Sequence, residues 1–171
     1  TARSVSLGSP GAEHLIRELA ARSSLLTKAL AANVGDPALR NLQRFLAAAS
    51  TGEERFRVTL ENVAWIERAL PVFAQSELAT DILARHPEDI VALFEGCGRE
   101  AGNSLSDQLR IEARRCMLRC VGRTLLEKVS VWDILRQHSQ NFDGILQGAL
   151  SAAEAPEGFA VFAVGRLGTC E

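Results

Sequence analysis

The sequence predicts an all-α fold, a multi-helix bundle that ends in one apolar extended segment. Helix-capping residues recur along the chain with short connections between them, and apolar residues follow them at helical spacing. Aromatic residues make up only 5% of the chain and tyrosine is absent. The core is therefore built mainly from Leu, Ala, Ile and Val, which suit helices better than sheets. No repeat of fixed period is present, which disfavours a solenoid.

The first two helices are each predicted to begin at a proline. Ser9 and Pro10 form a favourable start, and leucines follow at helical spacing as far as Leu30. Asp36 and Pro37 start a second helix in the same way. Its predicted buried stripe consists of Leu39, Leu42, Phe45, Leu46 and Ala49.

Three further helices are predicted before residue 95. Thr51–Glu54 matches a capping box and opens a helix that Pro71 is expected to end or kink. Ser76 is expected to cap the next helix, and Pro87 to begin a short one.

A glycine-rich stretch, 95–103, is predicted to be a linker between two helical parts. It separates an amino-terminal helical subdomain, 1–94, from a carboxy-terminal one, 104–156. Residues 157–171 are expected to begin a further domain.

The second helical part contains two predicted helices and is followed by an apolar strand. Ser104 and Asp107 form a second capping box before an arginine-rich helix, and Ser130 is expected to cap a long last helix. Pro156 ends that helix before Phe159–Val164, an all-apolar run typical of a strand buried on both faces.

Composition indicates an ordinary soluble protein. Hydrophobic residues make up 47% and charged residues 23%, and the net charge of −2 argues against a polyanion binder. No secretion signal begins the chain, and no apolar run approaches the roughly 20 residues that span a membrane. The four cysteines form no dense framework, so we expect a reduced, cytoplasmic protein. Because it begins at Thr1 and not at Met, we expect the chain to be a fragment or a processed piece.

The cysteines and histidines are weak candidates for chemistry. Cys116 and Cys120 stand four apart on one predicted helix, a spacing compatible with a metal site. Without further ligands nearby in sequence, the interpretation as small buried hydrophobic residues is favoured. His14, His86 and His138 are scattered, and structural roles are favoured over catalysis.

The helix after Ser104 is locally basic. Arg115 and Arg119 share one stripe of it. One interpretation is an arginine face that binds a phosphate or an acidic partner. The alternative is a solvated face that pairs with acidic neighbours. A nucleic-acid role is disfavoured, because no aromatic residues interleave with the charges.

The chain closes on a short glycine turn. Gly165 and Gly168 allow close approach of the backbone to a ligand, and Arg166 adds a cation. As a bare pattern, this turn is also compatible with an ordinary strand end.

The sequence around that turn resembles the start of a known signature. Phe159-Ala-Val-Phe-Ala-Val-Gly-Arg-Leu-Gly-Thr-Cys-Glu171 is similar to the nucleotidyltransferase signature of the glutamine synthetase adenylyltransferase family. That signature has an apolar strand, Gly-Lys/Arg-Leu-Gly, two variable residues and Glu-Leu, and continues to Ser-Asp-x-Asp in the next strand.

Two upstream stretches resemble the same family, in the family's order. They are Gln75-Ser-Glu-Leu-Ala-Thr-Asp-Ile-Leu-Ala-Arg-His-Pro-Glu88 and Gln108-Leu-Arg-Ile-Glu-Ala-Arg-Arg115, the latter continued by Val129-Ser-Val-Trp-Asp-Ile-Leu135. One departure is that Arg115 and Cys116 stand where that helix usually carries an acid. The resemblance spans roughly 41–171.

The resemblance implies a large bifunctional enzyme of nitrogen regulation. One half of such an enzyme attaches AMP from ATP to a tyrosine of glutamine synthetase, and the other removes it by phosphorolysis. PII signal proteins and glutamine tune the balance. Each half holds two Mg²⁺ ions on paired aspartates, which would follow Glu171.

Only part of the family's site can therefore be carried over to this chain. Gly165, Arg166 and Gly168 are expected to begin its phosphate-binding turn, and no catalytic or metal residue is expected within the chain. We expect the fragment itself to be inactive, to bind no Mg²⁺ or ATP, and to contact neither nucleic acid nor membrane. The alternative from a different class is a non-catalytic helical interaction module.

Overall fold

Helices occupy most of the chain in a computed structural model that describes residues 10–31, 36–95, 104–156 and 158–161. These residues form eight α-helices and one 3-10 helix and contain no strand, so the all-α prediction is confirmed. The α-helices are α1 (Pro10–Arg22), α2 (Ser24–Leu30), α3 (Pro37–Ala49), α4 (Glu53–Glu61), α5 (Val63–Gln75), α6 (Glu77–Arg85), α7 (Leu105–Leu125) and α8 (Val131–Ala152). The 3-10 helix is Pro87–Leu93.

The chain divides into two compact units, Thr1–Val91 and Ala92–Glu171. Most of the predicted linker, 96–103, lies outside the described residues. None of the described helices combines the length and the apolar character needed to cross a membrane.

Helix α3 lies at the centre of the first unit, where it contacts α1, α4, α5 and α6. All five residues of its predicted stripe are buried, so that prediction is confirmed. Its predicted start is also confirmed, because Asp36 Oδ1 accepts a hydrogen bond from the Ala38 amide at 2.9 Å and Pro37 is the first helical residue.

A polar cluster ties α3 to α5 and α6. The buried Asn41 side chain donates to the Phe73 carbonyl at 2.9 Å. Arg44 donates to Glu77 at 3.1 Å and to Asp81. A buried amide without such a partner costs about 1–3 kcal/mol, so the Asn41 bond selects the way in which α3 and α5 pack.

Two stretches that the apolar spacing predicted as continuous helices are each divided by a polar residue. Ser23 separates α1 from α2, and its Oγ accepts from the Leu26 amide at 3.0 Å. Asn62 separates α4 from α5, and its Nδ2 donates to the Val58 carbonyl at 2.7 Å. Short polar side chains compete with helical hydrogen bonds for the backbone groups. A prediction from the spacing of apolar residues does not include that competition.

The capping box predicted at Thr51–Glu54 is wrong. Helix α4 begins at Glu53, and its N-cap is Gly52, which makes no side-chain capping bond. Thr51 Oγ1 instead donates to the Ala48 carbonyl at 2.7 Å, at the end of α3. The Thr51 hydroxyl therefore bonds to the end of α3 and does not cap α4.

Pro71 was predicted to end or kink its helix, and the first of these outcomes is wrong. Pro71 lies inside α5, which continues to Gln75. An internal proline costs a helix about 3 kcal/mol, but the next two residues, Val72 and Phe73, are fully buried. Burial of each such side chain contributes about 1.5–3 kcal/mol, which favours continuation of the helix.

The helix starts predicted at Ser76 and Pro87 are confirmed. Ser76 Oγ accepts from the Ala79 amide at 3.2 Å at the start of α6. Pro87 begins the short helix that follows, which is of the 3-10 type and ends at Leu93.

In the second unit, α7 and α8 pack against each other in antiparallel directions. Ser104 caps α7 as predicted, since its Oγ accepts from the Asp107 amide at 3.1 Å. Ser130 is the N-cap residue of α8 but makes no side-chain capping bond. Helix α8 ends at Ala152, before Pro156.

The described part of the predicted strand, Phe159–Val161, is irregular. The Phe159 amide donates to the Pro156 carbonyl at 3.0 Å in a turn. Phe159 and Val161 are 59% and 49% exposed, so the expected burial on both faces is wrong for these residues. A strand requires a neighbour for its backbone hydrogen bonds, and apolar composition alone does not supply one.

Candidate functional site

The residues of the predicted phosphate turn, Gly165, Arg166 and Gly168, lie outside the described residues. Their role stays a prediction. The other two candidate residues, Arg115 and Arg119, lie on α7 within the second unit. They are four residues apart, so the helix places them on one face.

One nitrogen of the Arg119 guanidinium group contacts two partners. Its Nη1 donates to the Leu93 carbonyl at 3.0 Å and lies 2.7 Å from Glu127 Oε1. Only 21% of the side chain is exposed. Arg119 therefore joins the end of the 3-10 helix to the segment that follows α7, as the acidic-neighbour interpretation expects.

The Leu93 carbonyl that Arg119 binds lies directly against the backbone of α7. A Cβ atom added to Gly122 would lie 1.8 Å from the Leu93 oxygen. Real Cβ contacts are never so short, so glycine is required for this close approach. Gly122 and Arg119 thus act on the same carbonyl, one by making space and the other by donating a hydrogen bond.

The neighbouring arginines of α7 differ in their surroundings. Arg110 lies 3.5 Å from Asp107 and is largely exposed. Arg123 donates to Gln137 Oε1 on α8 at 2.6 Å. Arg115 is partly buried. The basic residues therefore do not form a uniformly solvated face.

The clearest cluster of reactive groups lies between α7 and α8. Cys120 Sγ is 3.4 Å from His138 Nδ1, and both side chains are partly buried. The His138 ring also packs against Phe142, with 4.6 Å between the ring centres. Burial lowers the pKa of His138 from its ordinary value, so the imidazole is neutral near pH 7.

Sequence reasoning missed this pair. It placed Cys120 with Cys116 because both lie on one helix, and it treated His138 as an isolated residue. The missing signal was the five-residue connection between α7 and α8, since so short a connection makes the two helices antiparallel neighbours. Cys116 is buried and Cys120 partly exposed, so only Cys120 is open to solvent.

An open groove of about 480 Å³ lies between the start of α7 and the end of α8. Its lining is almost entirely apolar and includes several alanines, and Arg110 is its one charged lining residue. The residues that line it are Ser106, Leu109, Arg110, Ala113, Ile145, Ala149, Ala152 and Ala153. These groups offer a largely apolar contact surface.

The stretch Gln75–Glu88 forms α6 and the turn after it. His86 Nδ1 lies 3.2 Å from Glu88 Oε1, and Glu88 also lies 3.8 Å from the Nε of Arg55 on α4. Arg55 further donates to the Arg85 carbonyl at 3.4 Å. These contacts join α4 to the turn, which gives the stretch a structural role within the first unit.

No group of three or more potential metal ligands occurs among the residues that the structure describes. Comparison of the chain with protein-family models, curated proteins and solved structures found no match.

Proposed function

We propose that this chain is a helical region of a nucleotidyltransferase that adds AMP to glutamine synthetase or removes it. The observation that carries the proposal is the order of three matched stretches: Gln75–Glu88, Gln108–Arg115 with its continuation Val129–Leu135, and Phe159–Glu171. Each is short, but their common order along one chain is a much stronger signal than a single Gly-x-x-Gly turn.

The described architecture supports this proposal. The first two matched stretches lie on helices, α6 and α7–α8, as expected for a helical scaffold beside a catalytic domain. The third follows α8, at the expected transition into that domain. The chain then contributes Gly165, Arg166 and Gly168 to a phosphate-binding turn.

The chemistry of AMP transfer is assigned to residues that follow Glu171. Mg²⁺, when bound to paired aspartates there, would neutralise the phosphate charge of ATP. Because those aspartates are expected after Glu171, we derive no catalytic step within this chain. An enzyme that uses ATP to modify glutamine synthetase would act in the cytoplasm, with a PII signal protein as its regulatory partner.

An AMP-transfer assay tests the proposal. Two polypeptides are incubated with glutamine synthetase, Mg²⁺ and ATP labelled in the adenine: the 171-residue chain and the chain extended through the next 150 or so residues of its reading frame, about one domain. We expect no label on glutamine synthetase from the first. The extended chain should transfer label, or should release the label from labelled glutamine synthetase as ADP when phosphate is present, because phosphorolysis joins the AMP group to phosphate. Transfer by the short chain would contradict the assignment of the catalytic groups.

Residues encoded after Glu171 provide an independent test. The proposal expects Leu directly after Glu171 and a Ser-Asp-x-Asp element in the following strand. An extension without an acidic pair of this kind would overturn the proposal, whatever the result of the assay.

Charge reversal on α7 tests the arginine face in the extended enzyme. Arg115→Glu should weaken binding of glutamine synthetase or nucleotide if that face binds an acidic group. Arg119→Glu should also lower stability, because Arg119 holds the Leu93 carbonyl and Glu127. Arg110→Glu is the matched control, since Arg110 is 77% exposed and pairs only with its own helix among the contacts described. Unchanged affinity in Arg115→Glu would leave the arginine face with no binding role.

A second candidate function is a helical interaction module. Val131 and Trp132 at the start of α8 are 57% and 66% exposed, and exposed tryptophan is typical of protein contact surfaces. Trp132→Ala should abolish capture of a partner by the 171-residue chain if this alternative holds. It should leave AMP transfer by the extended enzyme unchanged.

A further inference from the structure

The contact between Cys120 and His138 has the components of an activated thiol. The thiolate is the reactive form of cysteine, and a neighbouring imidazole activates a thiol by accepting its proton. The 3.4 Å separation of Sγ and Nδ1 allows that transfer directly. A neutral His138 is required, and the lowered pKa that burial causes supplies it near pH 7.

A second contact between α7 and α8 lies next to this pair. Arg123 lies three residues after Cys120 on α7, and its guanidinium group bonds to Gln137 Oε1 at 2.6 Å, beside His138 on α8. Cys120 and Arg123 are thus the titratable and charged groups that α7 contributes near His138.

Access and position distinguish Cys120 from Cys116, its neighbour one turn earlier. Cys116 is buried, whereas Cys120 is partly exposed. A small reagent can therefore reach Cys120. The connection between α7 and α8 holds the two partners in register, so the pair is preorganised by the helical packing.

From this geometry we infer that Cys120 is a peroxide-reactive modification site in which His138 acts as the proton carrier. The Cys120 thiol gives its proton to His138 Nδ1, and the thiolate attacks one oxygen of hydrogen peroxide. The S–O bond forms as the O–O bond breaks, and the departing hydroxide takes the proton from His138 to become water. Sulfur is oxidised by two electrons to a sulfenic acid, peroxide is reduced to water, and His138 returns to its neutral form.

Trypsin makes the site directly measurable. Cleavage after Arg115, Arg119 and Arg123 places Cys116 and Cys120 on separate peptides, 116–119 and 120–123. The 171-residue chain is treated with hydrogen peroxide in the presence of a 1,3-dione that traps sulfenic acids, and labelling of each peptide is followed by mass spectrometry. At pH 7 we expect the Cys120 peptide to be labelled several times faster than the Cys116 peptide.

The decisive comparison is between histidine variants. An ordinary thiol of pKa about 8.5 is about 3% ionised at pH 7, so activation can raise the rate by at most about 30-fold. His138→Gln should slow labelling of Cys120 roughly tenfold at pH 7 and much less at pH 9, where hydroxide ionises the thiol. His86→Gln is the matched control, because His86 pairs with Glu88 in the first unit, and it should leave the rate unchanged.

The pH profile of the unsubstituted chain provides a second readout that does not depend on a variant's folding. Labelling of Cys120 should rise with a midpoint well below the ordinary thiol value of about 8.5. A midpoint at that ordinary value would overturn the inference. So would an unchanged rate in a His138→Gln variant with native helical content by circular dichroism.

Discussion

Gly122 and Gly144 both lie within helices, but their surroundings differ completely. Gly122 is buried on α7 against the Leu93 carbonyl, whereas an added Cβ at Gly144 on α8 would meet nothing within 4 Å. The same substitution should therefore have opposite effects at the two positions. Helix propensity favours alanine at both, but steric exclusion dominates at Gly122.

We expect Gly122→Ala to lower the free energy of unfolding by about 1–3 kcal/mol, because the backbone of Leu93 has to move away from α7. Gly144→Ala should raise it by about 0.5–1 kcal/mol. Urea denaturation of the two variants checks both signs. Equal shifts in the same direction would show that the Leu93 contact does not constrain α7.

His138 makes stability depend on pH in a definite direction. Burial lowers the pKa of His138 in the folded state, whereas in the unfolded chain the pKa is about 6.5, its ordinary value. At a pH between these two values, the unfolded chain binds more protons than the folded chain. Stability therefore rises with pH through this window and is lost as the pH falls below 6.5. His138→Gln should flatten this slope, as measured by urea denaturation at pH 5 and pH 7.5. If the free energy of unfolding depends equally steeply on pH in the variant, groups other than His138 cause the dependence.

Individual helices begin where the local sequence supplies a cap. Ser76 and Ser104 each accept a hydrogen bond from an amide in the first turn of their helix. Ser130 occupies the same position before α8 without such a bond. Identical residue types at equivalent positions therefore contribute differently, because only two of the three hydroxyls reach an amide.

We expect Ser76→Ala and Ser104→Ala each to lower the free energy of unfolding by about 1 kcal/mol. Ser130→Ala serves as the matched control and should change it by less than about 0.5 kcal/mol. Thermal unfolding followed by circular dichroism provides the comparison. If Ser130→Ala lowers the free energy of unfolding as much as Ser76→Ala does, the cap residues act through their backbone conformation and not through the hydroxyl.

For the whole molecule, the all-helical class follows from helix caps and helically spaced apolar residues that recur along the chain. The described helices account for the buried apolar residues, whereas Phe159 and Val161 are exposed and lie outside that core. Deletion of 158–171 should therefore change the free energy of unfolding by less than about 0.5 kcal/mol. Marked destabilisation of the shortened chain in urea would show that the carboxy-terminal segment is part of the fold.

The sequence by itself determined the fold class, the start of α3 at Asp36 and Pro37, the caps at Ser76 and Ser104, and the buried stripe of α3. These features depend on hydrogen bonds and side-chain spacings within one or two helical turns, so they can be read from neighbouring residues. The same local rules failed at Pro71, where the burial of Val72 and Phe73 outweighs the loss of a helical hydrogen bond.

Only the tertiary structure decided which distant groups meet. It pairs Cys120 with His138, 18 residues later, and brings Arg119 to the Leu93 carbonyl, 26 residues earlier. Spacing along one helix had grouped Cys120 with Cys116 and Arg119 with Arg115. The physical reason is that side-chain partners across helices are set by the register in which the helices pack, and that register depends on the fit of whole apolar faces and not on any single motif.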